Sequence, residues 1–317
     1  MVYTFKKNGV RAAVLTRTAS VSYLDSLTYD MLEQVTPPLS EELPMGMRYF
    51  FAKYDSGDLK KSYAAIRSLY EMDAKTSEDD LCSEKLTGAV IHPEKLGEEK
   101  YAALLAEYQA NRRDKTAFGL YLCAADPDRI PGWVEKAHAV LGDGLQITLR
   151  CPVSVCRTYE GVLRYQAECG RIEDFTGAAL PENTQLIAAF SADTDLNAQV
   201  TRLLDAGYRL CAVPEAGLDA DTACKLYDAL SRVLLRRFRN SHERPFTAFA
   251  ISTEWGGRWW IDDTPAEADL DSMPGGYWQY GWLKHLAGYV SSPAILRCLV
   301  ENALVLGEKE QKTNDLT

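Results

Sequence analysis

"AFGLYLCAADPDRIPGWVEKAHAVLGDGLQITLR" (residues 117–150) decides how the rest of the chain is read. It opens on one apolar run, "AFGLYLCA" (117–124), and closes on another, "LQITLR" (145–150). Between them, Pro131 suits the first turn of a helix, where an amide hydrogen would go unbonded in any case. Gly142 suits the position just past a helix end, where the backbone turns left-handed. The stretch therefore reads as strand, helix, strand. A helix of this length is the crossover that two neighbouring parallel strands require.

Working outward, the same alternation recurs. Upstream lie "VRAAVLT" (10–16), then Leu24, Leu27, Met31 and Val35 at helical spacing. Next come "MRYFFAKY" (47–54) and a helix face of Leu59, Tyr63, Ile66 and Tyr70. "GAVIH" (88–92) precedes the stripe Tyr101, Leu104, Leu105, Tyr108, an i, i+3, i+4, i+7 pattern. Downstream, a helix is expected through 154–168. "QLIAAFS" (185–191) then leads into Leu196, Val200, Leu203 and Leu204, stopping at Gly207. "RLCAV" (209–213) leads into a helix over 220–239, and "FTAFAIS" (246–252) is the eighth run. From Tyr277 the tail reads as helical, broken at "SSP" (291–293), where Ser292 can cap a new helix starting at Pro293.

The strand runs are nearly continuous in apolar residues, as expected of strands buried on both faces in a parallel sheet. Eight strand–helix units in 317 residues point to an α/β fold of the (β/α)8 barrel-like type. Its limits are read as 1–276, with a C-terminal helical extension over 277–317 packed on the same domain. An open doubly wound parallel sheet is the alternative. No G-x-G-x-x-G turn follows the first strand run and there is no P-loop, so no nucleotide cofactor is expected.

Composition narrows the partners. The chain is 46% hydrophobic and 25% charged, with 35 Lys plus Arg against 45 Asp plus Glu, a formal net charge of −10. An acidic surface disfavours nucleic acid and anionic membranes, leaving a small-molecule or oligosaccharide ligand as the expected partner. The N-terminal "MVYTFKKNGVRAAV" has no apolar leader core, and no run approaches the ~18 apolar residues that span a bilayer. A cytoplasmic protein is expected. Eight cysteines show no C-x-x-C pair, and several sit inside apolar runs as small buried hydrophobes.

In a barrel, chemistry gathers at the C-terminal ends of the strands. Reading just past each run gives Arg17, Asp55, His92, Asp126, Arg150, Asp193, Glu215 and Glu254. Glu254 stands out, because it directly follows an apolar run and is flanked by Trp255, with Trp259 and Trp260 close behind. Tryptophan faces stack on the apolar face of a sugar ring, and carboxylates accept hydrogen bonds from its hydroxyls. "ISTEWGG" (251–257) resembles the Thr-Glu-Trp-Gly strand end that carries the nucleophile in retaining glycoside hydrolases with (β/α)8 barrels. Those enzymes also carry an Asn-Glu pair at the end of strand four, where this chain has "CAADPDR" with Asp126.

Glycoside hydrolysis needs two carboxyls, one donating a proton and one ionised. Glu254 is the candidate nucleophile or base and Glu215 the candidate acid. Trp255, Trp259, Trp260, Asp126, Asp193 and His92 are the candidate ligand-binding residues. Competing readings stay open. Glu215 also suits the first turn of the following helix, where the dipole favours an anion. His92 with Asp126, Asp193 and Glu215 would suit a metal-dependent hydrolase or isomerase, although no H-x-H or H-E-x-x-H spacing supports a metal. A non-catalytic binding or scaffold protein would leave the acids scattered or salt-bridged. Cys151, beside Arg150, reads either as a nucleophile or as packing. The Arg-rich stretch over 232–244 reads as a solvated helix end or an anion patch.

Overall fold

The computed structural model describes residues 2–15, 20–75, 86–112, 117–239, 258–261, 264–265 and 293–314. They fall into two compact units, 2–75 and 86–314.

The first unit is a three-stranded antiparallel sheet, β1 (Val2–Lys7), β2 (Val10–Leu15) and β3 (Ser20–Tyr23), with helices α1 (Ser26–Leu32), α2 (Arg48–Phe51) and α3 (Ser56–Lys75). Asn8 and Gly9 join β1 to β2, both with positive φ (50° and 85°), as a two-residue turn between right-twisted strands requires. The run at 10–16, expected as the first strand of a barrel, is thus the middle strand of a separate small sheet. The run at 47–54, expected as a strand, is a 3-10 turn (Met45–Met47) followed by α2. Met47 and Phe50 are buried while Tyr49 is exposed, so the burial follows a helical step rather than alternation. Leu27, Met31, Leu59, Tyr63 and Ile66 form this unit's core.

In the second unit, β4 (Leu86–Ile91), β5 (Phe118–Cys123), β6 (Leu145–Pro152), β7 (Val162–Arg171), β8 (Thr184–Phe190) and β9 (Arg209–Pro214) form a six-stranded parallel sheet. Each strand is hydrogen-bonded to the one before it in the sequence. A short strand, β10 (Arg258–Ile261), then lies parallel beside β4, and β11 (Thr264–Pro265) pairs antiparallel with β10. The last parallel strand therefore returns to the first. Among the described residues no ladder joins β9 to β10.

Helices α4 (Pro93–Leu96), α5 (Glu98–Asn111), α6 (Ile130–Leu141), α7 (Leu196–Asp205), α8 (Ala220–Arg237) and α9 (Pro293–Asn314) complete the unit. The unit opened by 117–150 forms as its sequence reads, with Pro131 in the first turn of α6 and Gly142 just past its end. The tail helix starts at Pro293. The stripe of α5 is fully used: Tyr101, Leu104, Leu105 and Tyr108 are buried. Tyr101 donates a hydrogen bond to the Trp133 carbonyl of α6 (2.8 Å), and the Tyr108 ring lies 6.2 Å from that of Phe118. The face of β5 carrying Phe118, Leu120 and Leu122 is therefore the helix-covered one. Each such side chain contributes ~1.5–3 kcal/mol by leaving water.

Residues 154–168, expected as a helix, hold a 3-10 turn (Val153–Val155) and then most of β7. "VLRYQAECGR" alternates: Tyr165 and Ala167 are buried among apolar neighbours, while Arg164, Gln166 and Glu168 stand on the opposite face. That opposite face is polar across neighbouring strands, because residues in parallel register point the same way. Tyr121, Thr148 and Arg164 form one row, and Arg150, Gln166, Gln185 and Arg209 the next. The expectation of strands apolar on both faces is corrected for β6 and β7. In β8 and β9 only Gln185 and Arg209, at the strand starts, belong to the polar face, and Leu186 to Ala188 and Leu210 to Val213 are buried on both sides. No described helix is long and apolar enough to cross a membrane.

Candidate functional site at the C-terminal edge of the sheet

Arg171, the last residue of β7, organises the C-terminal edge of β7, β8 and β9. Its Nε lies 3.1 Å from Glu215 Oε1, just past β9, and 3.6 Å from Glu173 Oε2, just past β7. Its Nη2 donates to Ser191 Oγ at 2.9 Å and lies 3.6 Å from Asp193 Oδ1, both just past β8. Ser191 in turn donates its hydroxyl to Asp193, and Thr194 donates its hydroxyl to Glu173. The Ser191 hydrogen bond, foremost, holds the Asp193 carboxyl below its ordinary range.

The backbone fixes this arrangement. Glu215 N–H donates to the Phe190 carbonyl (2.9 Å) and Ile172 N–H to the Ala189 carbonyl (2.7 Å), extending the ladders just beyond the strands. Arg202 of α7 donates to the carbonyls of Phe175 (2.8 Å) and Ile172 (3.0 Å), pinning the segment that carries Glu173. One guanidinium faces three carboxylates here, which leaves two negative charges at the edge. Arg171 keeps about half of its side chain open to solvent (45%), so the network is reachable.

Of the residues expected from sequence, Glu215 and Asp193 are brought together on Arg171. Asp126 lies at the same sheet edge but outside this network. Its Oδ1 accepts from Asp128 N–H (3.0 Å), and Glu94 accepts from its backbone N–H (2.8 Å). His92 follows β4 at the start of α4, with four strands between β4 and β9. Trp259 and Trp260 lie on β10, in register with Gly88 and Ala89 of β4. Glu254 and Trp255 lie outside the described residues. No protein-family model and no curated protein matches this chain.

Among the described residues, no group of three His, Cys, Asp or Glu side chains is placed to hold a metal ion. The nucleophile reading of Cys151 is corrected. Its thiol is buried, and a hydrogen bond with Cys156, together with burial, holds it above the ordinary thiol range. The seven described cysteines are free thiols. In the Arg-rich stretch, Arg237 is paired with Asp205 (2.6 Å) at the end of α8, as a helix C-terminus favours, and 240–244 lies outside the described residues.

Sequence reading did not find Arg171, Glu173, Ser191 or Thr194. The alternation in "RYQAECGRIED" (164–174) was the available signal, since a strand there places Arg171 and Glu173 at its end.

Proposed function

We propose that this chain is a carbohydrate-binding α/β protein that takes its ligand at the C-terminal edge of the parallel sheet. The observation that carries the reading is the network in which Arg171 gathers Glu173, Asp193 and Glu215 from three consecutive strands. Carboxylates held by a guanidinium and by hydroxyls keep further lone pairs free to accept hydrogen bonds from a polyhydroxylated ligand. The two residual negative charges favour a neutral, hydroxyl-rich ligand over an anion.

A (β/α)8-type closure accompanies this reading. The sequential order of β4 to β9 and the parallel pairing of β10 with β4 support it. In the catalytic form of this reading, Trp255, Trp259 and Trp260 stack on the sugar rings, and Glu254 with Glu215 forms the pair that cleaves a glycosidic bond. Glu254 serves as nucleophile or base and Glu215 as acid.

A second reading, non-catalytic sugar binding, is favoured by the 3.1 Å Arg171–Glu215 ion pair, which engages Glu215 with a guanidinium instead of leaving it open to a leaving-group oxygen. Turnover of a panel of aryl glycosides separates the two. Hydrolysis by the native chain that E254Q and E215Q each reduce at least about a hundredfold supports catalysis. Saturable saccharide binding without turnover supports the second reading, and neither binding nor turnover overturns both.

A further inference from the structure

The polar face of the sheet holds a feature that the C-terminal edge does not use. A cavity of about 570 Å3 lies over β5 to β9, lined among others by Tyr121, Thr148, Arg164, Gln166, Gln185 and Arg209. That volume suits a small organic ligand.

The lining is built by register. Thr148 stands beside Tyr121 on one side and Arg164 on the other, and Gln185 stands between Gln166 and Arg209. The two rows lie two residues apart along β7, about 6.6 Å. The cavity thus presents two guanidinium groups, two carboxamides, a phenol and an aliphatic hydroxyl. Gln166 Nε2 already leans to Gln185 Oε1 at 3.4 Å, which aligns the two amides over the floor.

Charge sets the class of ligand. No carboxylate lines the cavity. Both Arg164 and Arg209 are exposed, and among the described residues neither has an acidic partner. The nearest acid along the face, Glu168, accepts from Arg150 Nε at 2.6 Å, so its charge is answered within the sheet. The cavity therefore carries two positive charges, the opposite sign to the Arg171 edge.

We propose that this cavity is a binding site for a small anionic polyol, a hydroxylated carbon skeleton bearing a phosphate or a carboxylate. Arg164 and Arg209 hold the anionic group, since the guanidinium fork matches both oxyanions. Gln166, Gln185, Thr148 and Tyr121 hold the hydroxyls, because amide and hydroxyl groups offer both donors and acceptors. The site is separate from the C-terminal edge and stands or falls without it.

Calorimetric titration of the full chain with glucose 6-phosphate, gluconate, glucose and inorganic phosphate tests this. The expected result is saturable binding of glucose 6-phosphate or gluconate, tighter than glucose and tighter than inorganic phosphate by about tenfold or more each. The preferred probe of the first two identifies the anionic group. R164M and R209M each weaken that binding about tenfold, and Q185L weakens it while leaving weak phosphate binding in place. Both arginines are exposed, so melting temperatures close to that of the native chain confirm that the variants fold. Absence of saturable binding of either anionic polyol overturns the proposal. So does equal affinity for glucose, equal affinity for inorganic phosphate, or binding that survives the R164M/R209M double change.

Discussion

Arg171 Nε and Glu215 Oε1 lie 3.1 Å apart, linking the end of β7 to the segment beyond β9 across the intervening β8. A single guanidinium thereby ties three strand ends together. Replacing it with the apolar Met leaves Glu173, Asp193 and Glu215 facing one another without their cation. Since Arg171 is about half exposed, R171M is expected to cost only about 1 kcal/mol of stability. Its effect on saccharide affinity is expected to be larger, about tenfold or more, because the carboxylates lose their fixed orientation. Chemical denaturation and saccharide titration of the same variant measure the two effects separately.

Arg150 and Glu168 form a more enclosed pair on the polar face, with only 12% of the Arg150 side chain exposed. R150M removes the Arg150 guanidinium from Glu168 and is expected to cost about 2 kcal/mol. Adding E168Q removes the carboxylate charge as well and recovers part of that loss. A double-mutant cycle by urea denaturation checks the coupling.

Gly161 lies between the 3-10 turn and β7 at φ 81°, and an added Cβ would sit 2.8 Å from His138 Nε2. That same nitrogen is 2.8 Å from the Gly161 carbonyl. G161A therefore strains the backbone and displaces His138, with an expected cost of about 1–3 kcal/mol. Gly132, within α6, has open space at the same position, so G132A is expected to stabilise by about 0.5–1 kcal/mol. Thermal denaturation of the pair gives opposite signs.

Asp25 caps α1, accepting from Thr28 N–H at 2.8 Å and from Thr28 Oγ1 at 2.9 Å. Partial burial works against its charged form, yet these hydrogen bonds outweigh burial and hold the carboxyl below the ordinary value of 3.8. A carboxyl depressed on folding contributes stability that is fully present above its unfolded pKa and is lost as pH falls through the folded value. D25A is expected to cost about 1 kcal/mol at pH 7. The gap between native chain and variant narrows below about pH 4, which denaturation at several pH values reveals.

The thiols give a test of burial. Burial pushes Cys211 up to about 12, against the opposing pull of Arg150, and Cys169 up to about 11. Both are expected to resist alkylation at pH 8 in the native chain and to react within minutes once it is denatured, because the thiolate is the nucleophile. Mass spectrometry of the labelled peptides reports each site.

The parallel sheet was legible because helix-period stripes such as Tyr101 to Tyr108 separate the apolar runs. Leu120, Ile147 and Leu186 fall where those runs put them. What sequence missed shares one physical cause, that short runs carry weak periodicity. "MRYFFAKY" has the composition of a strand, but Gly46 and Asp55 bound a segment whose burial steps by three. In "VLRYQAECGR" the polar residues repeat every second position, on a face that also bears Thr148 and Gln185. A strand polar on one face does not match the doubly buried pattern expected of a parallel sheet. Losing β7 hid Arg171, and with Arg171 went the reason Asp193 and Glu215 meet.

Hydrogen exchange of the full chain, followed by mass spectrometry with and without a saturating mixture of neutral oligosaccharides, tests the central claim most directly. The account predicts that peptides covering 171–174, 191–195 and 213–216 gain protection together, since all three segments meet at Arg171. Protection confined to other segments, or none in these three, would contradict it.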